Sequence, residues 1–235
     1  MTERIAFQEG DALLMIDVQK DFCPGGALAV ERGDHILAAA NAWLAQAEQQ
    51  KVPIYASRDW HPRSHPSFAD EGGDWPPHCL QDSDGAEFHP DLVLPPDAIV
   101  VTKGVRFDRD QTSVFDNTGL DVHLKHEGIR RLFVGGLALD VCVMDSVMDA
   151  LAQGFEVVVI TEATRPVDTG KVNEVLGRMQ AAGAVLTNQE ALADLTAGPD
   201  TAEDPEVCVK APEWAEHQRL DDEDMPCDDG RSGKI

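Results

Sequence analysis

The chain has 235 residues, 43% hydrophobic and 26% charged, enough to bury a full core in one domain. Its 43 Asp+Glu against 19 Lys+Arg give a formal net charge of −24, which argues against the basic face that nucleic acids or anionic membranes require. Five Cys without CxxC spacing, no apolar run of membrane-spanning length and no apolar leader in "MTERIAFQEG" lead to the expectation of reduced thiols in a cytoplasmic protein.

Taken in chain order, "ALLMID" (12–17), "PIYAS" (53–57), "AIVVT" (98–102), "RLFVGG" (131–136), "VVVIT" (157–161) and "AVLT" (184–187) read as fully buried strands. Helical spacing occupies 34–50, 141–153 and 169–182. The alternation predicts an α/β domain with three layers, α/β/α, around a mostly parallel sheet of roughly six strands. The connection 58–97 has little periodicity but is rich in Trp, Phe and His, which marks it as functional rather than unstructured. After about residue 196 the pattern stops. Residues 200–235 carry twelve acidic and four basic side chains, so the domain is expected over 1–196, with 197–235 an acidic tail too polar to order itself.

In an open parallel sheet, ligands bind beyond the carboxyl ends of the strands, near the point where strand order reverses. Asp17 closes the first strand, Asp59 and His61 follow the second, Lys103 closes the third and Cys142 follows the fourth. Singly, each has an ordinary structural reading; together they put an acid, a metal-like pair, an ammonium and a thiol on one sheet edge. Cys142 opens a helical pattern, where the helix dipole and a cation such as Lys103 both lower a thiol pKa, while Asp17 can accept the thiol proton.

His78, in "WPPHCL", is a third partner for Asp59 and His61. One carboxylate and two imidazoles suit zinc with open positions, and equally the ligand face of non-haem iron oxygenases. His65 is a candidate fourth ligand, with a role behind the ligands or on the surface about as plausible. His35, His89, His123, His126 and His217 carry no assigned function, and Phe22 and Trp75 flank the site in sequence.

"MIDVQKDFCPGGALAV" (15–30), "RDWHPRSHPSFA" (58–69), "WPPHCLQDSDGAEFHP" (75–90), "TKG" (102–104) and "GGLALDVCVMDSVMDAL" (135–151) resemble nicotinamidases and pyrazinamidases, of the isochorismatase-like cysteine hydrolases. The resemblance spans roughly residues 10–190 and implies the three-layer fold. It also implies a catalytic triad of Asp17, Lys103 and Cys142, a divalent metal on Asp59, His61 and His78, and a substrate ring held between Phe22 and Trp75. The implied reaction is hydrolysis of nicotinamide to nicotinate and ammonia through a cysteine thioester. The Ala138 and Cys142 amides would hold the oxyanion, and the Leu137–Ala138 peptide would be cis. Zinc is the first expectation for the metal, with manganese or iron suiting the same ligands. The partner is a small carboxamide, and a homo-oligomer is left open. Two positions depart from the pattern: Thr112 in "DQTS" replaces a pocket Tyr, and Val141 replaces the aromatic before the Cys. The alternatives are a family relative acting on another carboxamide or carbamoyl substrate, a non-haem iron oxygenase, and a non-catalytic metal-binding module.

Overall fold

Strand β1, Asp11–Ile16, is apolar after its first residue, and all six positions are buried, as only a central strand covered on both faces can be. Even its charged first residue is matched: Arg131 Nε and Nη2 grip the Asp11 carboxylate at 2.9 and 2.6 Å. A computed structural model describes residues 6–187, so the domain boundary at 196 and the acidic tail lie outside the described residues.

The remaining strands are β2 (Ile54–Asp59), β3 (Ile99–Lys103), β4 (Arg131–Leu137), β5 (Glu156–Arg165) and β6 (Val185–Leu186). All five pairings are parallel, in the order β3-β2-β1-β4-β5-β6. Period-two alternation divides β1 between two cores. Leu13 and Met15 pack with Leu37, Ala40 and Leu44 of helix α1 (Leu37–Gln50). Ala12, Leu14 and Ile16 pack with α2 (Leu120–His126), α3 (Met144–Ala152) and α4 (Val172–Ala182). This is the expected α/β/α sandwich.

Two expected buried strands are edges instead. Ile99 and Val100 of β3 are 42% and 45% exposed, and Val185 of β6 is 49% exposed, because each strand has a neighbour on one side only. Among the described residues, no helix is long and apolar enough to cross a membrane.

The strand order reverses between β1 and β4, and there the backbones approach closely. Gly136 has φ +120°, and a Cβ on it would run into the Ile16 backbone. Beyond β2, the long connection is pinned by short ladders. His61 N–H donates to Cys79 O at 2.8 Å, Gln81 N–H to His61 O at 2.9 Å, and Trp75 N–H to Ser67 O at 3.0 Å. These bonds give an irregular segment the backbone partners it needs to hold side chains in place.

Candidate active site

Asp17 follows β1 in left-handed conformation, φ 49°, which turns the chain at the sheet edge. Its backbone N–H donates to Ser57 O at 3.1 Å, and Ser57 Oγ donates to Asp17 Oδ1 at 2.7 Å. Lys103 ends β3 and is wholly buried. Its Nζ lies 2.8 Å from Asp17 Oδ2, 2.7 Å from Asp59 Oδ1 and 3.6 Å from Cys142 Sγ. Cys142 sits in a wide turn, Leu139–Val143, in which Val143 N–H reaches back five residues to Ala138 O at 3.0 Å. Helix α3 starts only afterwards, at Met144, rather than at 141 as the spacing predicts. Single oxygens of Asp17 and Asp59 and the Cys142 sulfur all lie within 4.8 Å of one another.

Burial and charge compete here, and the outcome differs from group to group. Burial lifts the Asp17 carboxyl above its usual range despite Lys103. Asp59 is pushed up by burial too, but Lys103 and His61 outweigh it and hold the carboxyl far below the usual range. For Lys103, burial favours the neutral amine, yet Asp17 and Asp59 together keep it firmly an ammonium. The expectation of a lowered thiol pKa is corrected. Burial raises Cys142 well above the ordinary thiol value, and the pull of Lys103 does not offset it. With Asp17 ionised, Cys142 is therefore a thiol. Lys103 Nζ is an ion-pair contact of Asp17 Oδ2 at 2.8 Å, and an Asp17 oxygen lies within 4.8 Å of the Cys142 sulfur, so the carboxylate is placed to take the thiol proton.

Asp59, His61 and His78 are all buried, and one donor atom of each lies within 4.8 Å of the others. The imidazoles are oriented alike: His61 Nδ1 meets Gly104 O and His78 Nδ1 meets Pro76 O, both at 2.8 Å. A carbonyl accepts from Nδ1–H, which leaves each Nε2 lone pair for a cation. His61 Nε2 lies 3.6 Å from Asp59 Oδ2, the carboxylate oxygen that Lys103 does not take. The donor set therefore fits a divalent metal. His65 falls outside this close group, but its ring centroid lies 4.1 Å from that of His61, tilted by 31°, and its Nε2 is buried without a hydrogen-bond partner among the described residues. Burial and His61 lower its pKa to about 4, so it is a neutral imidazole.

A cleft opens onto Asp59, His61 and Cys142. Phe22, Trp75, Ala138, Val141, Cys142 and Thr112 all line it, together with Asp59 and His61. The Leu137–Ala138 peptide is cis, as the resemblance implies.

The Isochorismatase domain family matches residues 11–191. The chain belongs to the isochorismatase family. It is 40% identical over 198 residues to the nicotinamidase of Escherichia coli, covering 74% of this chain and 93% of that one. The pyrazinamidase of Pyrococcus horikoshii, solved in complex with zinc, superposes with a TM-score of 0.73 at 37% identity, over 75% of this chain and 98% of that chain. An L. infantum protein solved in complex with nicotinate gives 0.70 at 38% identity, over 77% and 93%.

In this isochorismatase-family site, Ser57, Leu28, Val30, Asp110, Gln111 and Val167 are residues that sequence reasoning missed. Leu28 and Val30 lie within the motif that contains Phe22, and Asp110 and Gln111 directly precede Thr112, so proximity was a usable signal for those four. Ser57 and Val167 carried none. His123, assigned no function, meets Tyr55 Oη at 3.2 Å, in a groove at the amino ends of β2 and β3, opposite the site.

Proposed function

We propose that the protein hydrolyses a primary carboxamide, nicotinamide, to nicotinate and ammonia, with Cys142 as nucleophile. The observation that carries this reading is the Lys103 ammonium, which touches the Asp17 carboxylate, the Asp59 carboxylate and the Cys142 sulfur at once. That arrangement joins an acid–base group, a nucleophile and a metal-ligand set in one buried cluster. The nicotinamidase relative in E. coli supports the reaction class, and the nicotinate held by the L. infantum protein supports the ring.

Asp17 Oδ2 takes the Cys142 proton as sulfur attacks the carboxamide carbon. The carbonyl oxygen becomes an oxyanion facing the Ala138 and Cys142 amides, donors that are typically worth a few kcal/mol each. Asp17 returns the proton to nitrogen, the C–N bond breaks and ammonia leaves, so a thioester joins substrate to Cys142. Asp17 then takes a proton from water, whose oxygen attacks the thioester. Sulfur departs with that proton, and the carboxylic acid formed ionises in solution. Lys103 stays charged throughout and offsets the negative charge passing between sulfur and carboxylate.

Asp59, His61 and His78 would hold one divalent metal, zinc by their donor chemistry and by the zinc of the P. horikoshii relative. When bound, the metal supplies a Lewis-acid position for a ring nitrogen. Phe22 and Trp75 flank the ring. The cysteines among the described residues, Cys23, Cys79 and Cys142, are all free thiols, in keeping with a cytoplasmic setting.

The test is ammonia release from nicotinamide, benzamide and an open-chain carbamoyl acid, with metal analysis of the purified protein. Nicotinamide should be the fastest substrate, with one metal per chain. Metal-loaded protein that releases ammonia from none of the three would overturn the reading.

A further inference from the structure

The turn that carries Cys142 also carries a carboxylate that the mechanism does not use. Asp140 lies in the turn that carries Cys142, two residues before it. Its Oδ1 accepts the backbone N–H of Val167 at 2.7 Å, and its Oδ2 accepts that of Asp168 at 2.9 Å. Both amides belong to the segment that leaves β5 after Arg165 and leads through Thr169–Lys171 into α4. Val167 is 47% exposed and lines the cleft together with Val141 and Cys142. Its side chain has solvent on one side, and its position depends on what holds its backbone. Two hydrogen bonds, one to each oxygen of a single carboxylate, fix both the distance and the direction of the segment.

We infer that Asp140 is a positioning residue for substrate selection: it clamps the Val167 segment to the nucleophile turn, and so sets how much room a ring has between Val167 and the reacting sulfur. The carboxylate is not among the residues that line the cleft and acts through Val167. The clamp and the nucleophile share one turn, so the wall keeps its place relative to Cys142. The selected feature is ring bulk on the side of the cleft that Val167 closes. This inference rests on the carboxamide hydrolysis proposed above.

The test compares wild type, Asp140→Ala, Asp140→Asn, Val167→Ala and the Asp140→Ala/Val167→Ala double variant on nicotinamide and a ring-methylated nicotinamide. A pocket wall discriminates one methyl by roughly tenfold or more, so Asp140→Ala should lose most of that preference. KM for nicotinamide should rise several-fold while kcat stays within about threefold, since the orientation of bound ring is affected more than the chemistry. Val167→Ala should relax selection in the same direction, and the double variant should add little, because both act on one wall. Asp140→Asn keeps one acceptor oxygen and should fall between wild type and Asp140→Ala. Independently of turnover, hydrogen exchange at the Val167 and Asp168 amides should quicken by roughly tenfold or more in Asp140→Ala.

Unchanged exchange at those amides would overturn the clamp. Unchanged methyl discrimination, or a fall in kcat at constant KM, would overturn the role in selection and place Asp140 in support of the nucleophile instead. Wild-type protein inert toward every carboxamide would overturn the proposed reaction, an outcome distinct from either.

Discussion

Lys103 Nζ sits 2.7 Å from Asp59 Oδ1 and 2.8 Å from Asp17 Oδ2, so one buried ammonium joins the carboxylate proposed to hold the metal to the one proposed as acid–base group. Removing that charge leaves Asp17 and Asp59 facing each other in the protein interior. Lys103→Met preserves the length of the side chain and isolates this effect. Breaking a buried ion pair costs about 3–5 kcal/mol, so the melting temperature should fall by roughly 6 °C or more, with kcat/KM down by at least ~10³-fold. Thermal unfolding and ammonia release check both. A variant within about 2 °C and tenfold of wild type would contradict the arrangement.

The acid limb of the pH profile follows from Asp17. Burial raises its pKa against the pull of Lys103. The ionised carboxylate, the form that takes the thiol proton, is complete above that raised value and is lost as pH falls through it. The acid limb of kcat/KM, measured with metal in excess, should therefore lie above the ordinary carboxylate range. In Lys103→Met the lowering influence is gone and the limb should move to still higher pH. A limb in the ordinary range, or one that moves downward in the variant, is the contrary result.

His78→Ala should weaken metal binding by about 100-fold or more, since even groups behind the ligands are worth 10–100-fold. KM for nicotinamide should rise more than KM for benzamide, whose ring has no nitrogen to orient. Steady-state kinetics on the two amides, with metal titration, make the comparison. Equal losses on both would assign the metal to water activation instead.

Gly104 follows Lys103 with φ +70°, and a Cβ there would overlap the His61 ring. Gly104→Ala should displace His61 from its 2.8 Å contact with Gly104 O and lower metal affinity. Melting temperature should fall too, because Gly104 is buried and its positive φ strains an Ala there. Metal affinity equal to wild type would show that the His61 ring is not held as described.

The residues proposed to carry the chemistry were legible because each lies at or just past the carboxyl end of a strand: Asp17 after β1, Asp59 and His61 at β2, Lys103 at β3, Cys142 after β4. Apolar runs locate such ends well. Helix α2 was not legible. In "LDVHLKH" the apolar Leu120, Val122 and Leu124 alternate with period two, a pattern that does not suggest a helix, and only Leu120 and Leu124 are buried. The edge positions of β3 and β6 were also hidden, since "AIVVT" and "AVLT" are as apolar as the central strands. The Cys142 pKa was misjudged because dipole and cation can be read from sequence order, whereas the depth of burial that outweighs them comes from packing. Val167 lines the cleft and bonds to Asp140, 27 residues away in sequence, a proximity that only the folded chain creates.

Asp17→Asn tests the base. An amide of the same shape cannot accept the thiol proton, so kcat should fall by about 10³-fold or more, with the fold and metal content kept. A pre-steady-state burst of ammonia comparable to wild type would contradict the role.

The central claim is that Cys142 sulfur is the nucleophile, and the measurement that tests it most directly is ammonia release from nicotinamide by Cys142→Ala. The side chain is buried, and Ala fills nearly the same space, so melting temperature and metal content should match wild type. The account predicts no turnover above background in that folded, metal-loaded variant. A rate as high as a tenth of wild type would contradict it.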